Sequence, residues 1–271
     1  GHQNKTMPRT EPFRVAIRCC PNRPQAIVKL QGNQFELQRP KTTLTKKFKF
    51  ASVVAPDEDT RTLHSKAGVS STIQKSVAAG ESVTILSFGA QGTGKTTTMR
   101  GEGGVVLQAA ADVFKALGNQ SSGHASSATL ITVSCLMSAV TPPAQSHLTG
   151  RQVTHEVLLD GLLPGGETGE DYKGGLVVRE HPRTGFFVEG LTELAVESEE
   201  ACEAALRTAL RNCSAEEARI GSGAPGAPLR LHTLCTIRVK RRSAEGDETS
   251  AQVQVVDLAG WVRDKPAPKA P

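Results

Sequence analysis

The sequence predicts a three-layer α/β fold, in which a central mixed sheet is flanked by helices. Two observations lead to this prediction. Stretches rich in β-branched residues alternate along the chain with stretches that repeat apolar residues at helical spacing. In addition, the short apolar run from Val83 to Phe88 leads directly into a glycine-rich loop, which is typical of a buried central strand. We therefore expect a sheet of roughly eight strands or slightly fewer, with this run near its centre.

The remaining elements follow from periodicity and from turn residues. Predicted strands cover residues 13–19, 47–54, 129–139, 231–240 and 251–256, and residues 176–179 and 186–188 flank a hairpin turn. Predicted helices cover a stretch that ends at Ala79, with a break at Gly68, and residues 106–117 and 202–213. Residues 214–228 are rich in glycine and proline, so we expect a long loop there.

The length of the chain allows one large hydrophobic core or two small ones. We favour one domain, residues 13–260, because no linker-like stretch divides the middle of the sequence. Residues 1–12 are expected to be a flexible N-terminal segment in which Met7 is a candidate native start. Residues 261–271 form a proline-rich, extended tail.

Composition argues against several classes of protein. No apolar run approaches the ~20 residues that a membrane-spanning helix needs, and the polar N-terminus does not resemble a secretion signal. None of the six cysteines forms a C-x-x-C pair, so we expect reduced thiols in a cytosolic compartment. The net charge of +5 allows an acidic partner without requiring one, and nucleic acid is not a favoured partner.

The glycine-rich loop matches the pattern G-x-x-x-x-G-K-S/T, which is a P-loop, and predicts binding of a nucleoside di- or triphosphate. Glycines allow consecutive backbone N–H groups to turn inward around phosphate oxygens, and the dipole of the following helix adds to the attraction. The Lys95 ammonium would contact the terminal phosphates, and the Thr96 hydroxyl would coordinate Mg²⁺. The predicted phosphate-binding residues are Gly89, Ala90, Gln91, Gly92, Thr93, Gly94, Lys95 and Thr96.

A second motif supports the same chemistry. The apolar strand that ends at Asp257 is followed three residues later by Gly260, an arrangement that P-loop proteins place beside the phosphate loop. Asp257 is therefore a candidate Mg²⁺ ligand, acting through a water molecule. The N–H of Gly260 is a candidate sensor of the γ-phosphate, which makes this residue a candidate catalytic group.

Several blocks in a fixed order resemble the motor domain of kinesins. GAQGTGKTTTM at residues 89–99 is similar to the family's G-Q-T-G-T-G-K-T-x-T-M, and DLAG at 257–260 is similar to its switch II. The block LVVREHPRTGFFVEGLT at 176–192 resembles the most recognisable stretch of the family, and phosphate binding alone does not predict it. HTLCTI at 232–237 resembles the strand that follows switch I. The similarity extends from about residue 13 to residue 260.

The resemblance implies a P-loop NTPase fold, ADP or ATP with Mg²⁺ as ligands, and microtubules (tubulin) as the partner in the cytoplasm and cytoskeleton. It also assigns an adenine site, because RCCP at 18–21 stands where the family carries R-x-R-P. Arg18 and Pro21 would contact the base, and Thr97 would lie beside it. Cys20 in place of arginine, and Thr97 at a position that is often aromatic, predict a loosely held adenine.

The switches depart from the family pattern. Where kinesins carry N-x-x-S-S-R-S-H in switch I, this chain has PGAPLRLH at 225–232, so the serines are replaced by Pro228, Leu229 and Leu231. Arg230 matches the switch I arginine and is therefore a catalytic candidate. The glutamate that should pair with it, however, is replaced by Val262 here. We therefore expect Arg230 to point to solvent.

Three functions remain open from the sequence. The first is a nucleotide-binding, kinesin-like domain whose ATPase is weak or absent, and the second is an active, microtubule-stimulated motor. The third is a scaffold for protein interactions that retains the fold. The switch substitutions favour the first function over the second, and the intact phosphate loop argues against the third. In kinesins the helices that bind the microtubule follow switch II, so that surface is largely missing from these residues.

Overall fold

The computed structural model describes residues 13–20, 27–38, 42–118, 128–140, 144–145, 152–153, 156–164, 175–182, 185–221, 231–243 and 245–261. The chain divides into two compact units, Gly1–Ala67 and Gly68–Pro271.

The first unit contains two small sheets and a short helix. β1 (Ala16–Arg18) pairs in parallel with β5 (Ser52–Val54), while β2 (Ile27–Gln31), β3 (Gln34–Gln38) and β4 (Thr45–Lys49) form an antiparallel meander. Phe35 stacks on Phe48 and Phe50, with ring centroids 5.5 and 5.9 Å apart. α1 (Thr60–Lys66) begins at Asp59, whose carboxylate accepts a hydrogen bond from the Thr62 N–H.

The second unit is built on a six-stranded mixed sheet. β6 (Val83–Ser87) pairs in parallel with β15 (Glu248–Asp257), and all other pairs in the sheet are antiparallel. The order continues from β15 through β14 (Leu231–Arg242) and β7 (Ala128–Val140) to β10 (Glu156–Asp160), and β13 (Leu194–Val196) also pairs with β7. Two hairpin-like pairs lie outside it: β8 (Ala144–Gln145) with β9 (Gln152–Val153), and β11 (Val177–His181) with β12 (Gly185–Glu189).

The structure describes four helices in this unit, and their apolar faces pack with one face of the sheet. They are α2 (Val69–Ala79), α3 (Lys95–Arg100), α4 (Val105–Gly118) and α5 (Glu199–Gly221). The core residues of β7 and β14 are the odd-numbered ones, as the two-residue period of a strand requires. They pack with Ile73, Val113 and Leu206 of the helices. None of the described helices is long and apolar enough to cross a membrane.

Most predicted elements are confirmed, including a mixed sheet flanked by helices. The break at Gly68 and the stop at Gly80 are confirmed as well, since both glycines adopt left-handed conformations, with φ of 69° and 72°. Three predictions differ from the structure. The predicted strand 47–54 is two strands in different sheets, and α5 continues to Gly221 through residues that were expected to form a loop.

The third difference concerns the strand before the glycine-rich loop, which was predicted to be central. β6 instead lies at the end of the six-stranded order, and β15 is its only strand partner among the described residues. Val83 and Ile85 pack against the core, but Leu86 and Phe88 are 46% and 79% exposed. Composition alone therefore overestimated the burial of this strand, because an apolar run does not reveal how many strands lie beside it.

The position of Leu206 generates a test of the core in the second unit. Leu206 is fully buried on α5, so Leu206→Ala should lower the free energy of unfolding by about 2–5 kcal/mol. Leu130→Ala is the matched control, because Leu130 is 48% exposed and its truncation should change stability by less than about 0.5 kcal/mol. Urea unfolding followed by circular dichroism measures both variants. Equal losses would contradict this description of the core.

Candidate functional site

The phosphate loop connects β6 to α3 in the second unit. Gly92 and Gly94 have φ of 74° and 84°, in the left-handed region that favours glycine. Apart from its chain neighbours, no described residue has a heavy atom within 4 Å of where a Cβ would stand on either glycine, so this part of the loop is open. The Thr93 hydroxyl donates to the carbonyl oxygen of Ala90, at 2.8 Å, and so closes the base of the loop. The local geometry is that of an open backbone cradle at the start of a helix.

The side chains that would contact phosphate and metal lie at the start of α3. The Lys95 ammonium donates to the carbonyl oxygen of Ala90, at 2.8 Å, so it is held over the loop. A neutral carbonyl leaves the positive charge of Lys95 available to an anion. Thr96 and Thr97 are both exposed, and the Thr96 hydroxyl is therefore accessible to a metal ion.

The parallel pairing of β15 with β6 brings the second motif to the loop. Asp257 is the register partner of Ser87, and its Oδ1 accepts a hydrogen bond from the Ser87 hydroxyl at 3.0 Å. Asp257 is only 3% exposed. The two strands end side by side, so the segment after Asp257 and the phosphate loop emerge at the same edge of the sheet.

Gly260 lies in direct contact with the phosphate loop. A Cβ on Gly260 would be 2.5 Å from the Cα of Gln91 and 2.9 Å from the Lys95 ammonium nitrogen, so only glycine fits this position. The next residue, Trp261, accepts a hydrogen bond from the Gln91 N–H at 3.1 Å and forms a parallel bridge with Ala90. The sequence predicted that Gly260 lies near the phosphates, and the structure places it against the loop.

Arg100 is a charged residue of the site that the sequence analysis did not identify. It ends α3, its side chain is 4% exposed, and its Nε donates to Oδ2 of Asp257 at 2.8 Å. Its Nη2 donates to Glu217 on α5. Both carboxylate oxygens of Asp257 therefore have partners within the protein, although each oxygen retains a second lone pair.

The ion pairs of Arg100 raise its pKa by more than burial lowers it. Burial alone would lower the pKa of the Arg100 guanidinium, but the charge and hydrogen bond of Glu217 and the charge of Asp257 raise it. The net pKa lies above the ordinary value for arginine, so Arg100 is a permanent cation at this site.

The aligned switch I residues are partly outside the described residues. These are Pro228, Leu229 and Arg230, and Val262 of switch II also lies outside them. Leu231 is described, and it is 4% exposed in the core as the first residue of β14. His232 is next, and its Nδ1 accepts a hydrogen bond from the Ala259 N–H at 3.1 Å. The start of β14 is thus attached to the segment that follows Asp257.

The predicted adenine residues lie in different parts of the chain. Arg18 ends β1 in the first unit, is half-buried, and its Nη1 donates to the Thr60 hydroxyl at 3.4 Å. Cys20 is also half-buried, whereas Pro21 lies outside the described residues. Thr97 is exposed on α3 in the second unit.

Sequence reasoning missed Ser87 and Glu217 in addition to Arg100. Ser87 had a usable signal, because it ends the strand that precedes the loop. Arg100 also had one, since it directly follows the Met99 that closes the phosphate-loop block. Glu217 had none, because its role depends on how α5 packs, and the residues around it were expected to form a loop.

Comparisons with known proteins agree on one family. A family model described as the kinesin motor domain matches residues 15–269. The kinesin-like protein klp-20 of Caenorhabditis elegans is 26% identical over 223 residues, which cover 80% of this chain and 30% of that protein. The chain thus spans less than a third of the length of this curated relative.

Solved structures show the same fold. The structure of a fast kinesin matches with a TM-score of 0.70 and 18% identity, and the match covers 96% of this chain and 68% of that one. The motor domain of a Kar3-like kinesin from Ashbya gossypii matches with a TM-score of 0.66 and 19% identity, over 93% of this chain and 72% of that one. Because the family match extends over nearly all of the sequence, the chain belongs to the kinesin motor domain family.

Proposed function

We propose that this domain binds ADP or ATP with Mg²⁺ through residues 89–96, within a microtubule-associated protein of the motor family, and that its ATPase is weak or absent. The observation that carries the proposal is the open glycine cradle with Lys95 held over it, at the edge of the sheet where Asp257 and Gly260 also lie. The microtubule as partner is inferred from family membership.

Nucleotide binding follows from the chemistry of the loop. The backbone around Gly92 and Gly94 is open to a phosphate, and α3 begins directly after it, so the N–H groups of its first turn can donate to phosphate oxygens. Lys95 adds a cation whose present partner is a neutral carbonyl, which a phosphate oxygen can replace. Thr96 would hold the metal, which neutralises charge on the phosphates when bound.

Removing the lysine should weaken binding. Lys95→Ala should raise the dissociation constant of MgADP by about 10- to 100-fold, because a charged hydrogen bond contributes about 1.5–3 kcal/mol. Isothermal titration calorimetry on the full-length protein measures the affinity. Lys115→Ala is the control, since Lys115 is exposed in the last turn of α4. Equal affinity for wild type and Lys95→Ala would contradict the proposed role of the loop.

The contact at Gly260 provides a steric test of the same site. Gly260→Ala should push the phosphate loop away from β15, which we expect to cost about 1–3 kcal/mol of stability and to weaken MgADP binding. Gly118→Ala is the matched control, because among the described residues no heavy atom beyond its chain neighbours lies within 4 Å of the added Cβ. Urea unfolding and calorimetry report the two effects. If Gly260→Ala behaves like Gly118→Ala, the loop and the strand end are not in contact.

Weak hydrolysis is proposed because groups that act on the transition state are replaced in the sequence. Pro228 has no backbone donor, Leu229 and Leu231 have no hydroxyl, and Val262 cannot accept a hydrogen bond from Arg230. Leu231 also packs in the core. Loss of a single well-placed donor lowers kcat by about 10²- to 10³-fold, and effects of several such losses do not simply multiply.

Steady-state turnover by the full-length protein, with and without microtubules, tests this part of the proposal. We expect turnover at least about 10²-fold below the common enzymatic range of about 1–10³ per second. Lys95→Ala is the control, because any turnover that remains in this variant comes from contaminating ATPases. Robust, microtubule-stimulated hydrolysis that disappears in Lys95→Ala would instead establish the alternative function, an active motor.

A further inference from the structure

Arg100 forms a buried ion network around the carboxylate that was predicted to serve Mg²⁺. Its Nε donates to Oδ2 of Asp257 and its Nη2 donates to Glu217. The Ser87 hydroxyl donates to the other oxygen of Asp257, Oδ1. The side chains of Arg100 and Asp257 are each 4% exposed. The third nitrogen of Arg100, Nη1, is buried and has no hydrogen-bond partner among the described residues. A buried guanidinium donor usually has a partner, so the described residues do not fully satisfy this network.

We propose that Arg100 is the resident counter-cation of Asp257, and that nucleotide binding at this site consequently depends only weakly on Mg²⁺. The inference rests on the proposed nucleotide-binding function. It makes Arg100 a positioning residue, because it acts through Asp257 and not on the nucleotide.

The reasoning is electrostatic. A carboxylate that accepts hydrogen bonds from a guanidinium attracts a second cation less strongly, because the two cations repel each other at short range in a poorly hydrated site. Arginine cannot avoid this repulsion by losing its proton. Withdrawal of Arg100 would also leave Glu217 without this ion pair. Mg²⁺ can still reach the exposed Thr96 hydroxyl and the phosphates, but Asp257 would contribute little to holding it.

A purely structural role for Arg100 is the competing interpretation, and it makes a different prediction. A structural ion pair would stabilise the fold and leave the response to Mg²⁺ unchanged. A counter-cation would alter that response, because removing it exposes the charge of Asp257 to the metal. The decisive quantity is therefore the ratio of nucleotide affinities with and without Mg²⁺, and not stability or activity.

The experiment measures binding of fluorescent ADP to the full-length protein in excess Mg²⁺ and in excess EDTA. For wild type we expect the two dissociation constants to differ by less than about fivefold, the lower end of ordinary coupling between two ligands. Arg100→Met combined with Glu217→Gln removes the cation without leaving Glu217 charged. In this double variant the ratio should rise into the range of about 5- to 150-fold. Arg207→Met with Glu203→Gln is the matched control, since it removes an exposed ion pair of α5 and should leave the ratio unchanged.

Each outcome decides between the interpretations. If wild type binds nucleotide with a strong dependence on Mg²⁺, the inference is overturned and nucleotide binding stands, whether or not the double variant folds. If the double variant is folded by circular dichroism and its ratio equals that of wild type, the role of Arg100 is structural. If wild type binds no nucleotide under either condition, the proposed function itself fails.

Discussion

The parallel pairing of β15 with β6 is the constraint on which the candidate site depends. It places Asp257 opposite Ser87, so the two chain segments that leave these strands must run side by side. The phosphate loop and the segment around Gly260 consequently come into contact, and the Gln91 N–H donates a hydrogen bond to the Trp261 carbonyl oxygen. The close approach tolerates no side chain at residue 260. Residues from sequence positions far apart are thus held together by strand register.

The sequence predicted those parts of the fold and site that local patterns determine. The phosphate loop needs glycines at fixed spacing, and helix ends need residues that adopt positive φ, so both can be read directly from the chain. The predicted central position of β6 was wrong because long-range pairing determines which strands lie side by side. The ion pair of Arg100 with Asp257 was missed for the same reason, since the two residues lie 157 positions apart along the sequence.

Leu231 lies at a position that belongs both to the hydrophobic core and to the segment aligned with switch I. As the first residue of β14 it lies in register with Ala139, and the odd-numbered residues of both strands face the helices. A leucine at this position contributes to the hydrophobic core, whereas a serine would place a hydroxyl there. His232, one residue later, points the other way and accepts the hydrogen bond of Ala259. The start of β14 therefore combines an apolar residue that faces the core with a hydrogen bond to the segment after Asp257.

The charges of the site form two groups with different freedom to respond to a ligand. Lys95 donates to a neutral carbonyl in the loop, and no carboxylate among the described residues accepts a hydrogen bond from it. Arg100, Asp257 and Glu217 instead carry one positive and two negative charges in an ion network at the end of α3, in which the side chains of Arg100 and Asp257 are buried. A phosphate oxygen that replaces the Ala90 carbonyl oxygen as the partner of Lys95 is a stronger hydrogen-bond acceptor, because it is charged. A metal ion at Asp257 would share the carboxylate with the hydrogen bonds from Ser87 and Arg100. The same strand pairing therefore places the phosphate loop and Asp257 at one edge of the sheet, where Lys95 bonds to a neutral carbonyl and Asp257 bonds to Arg100.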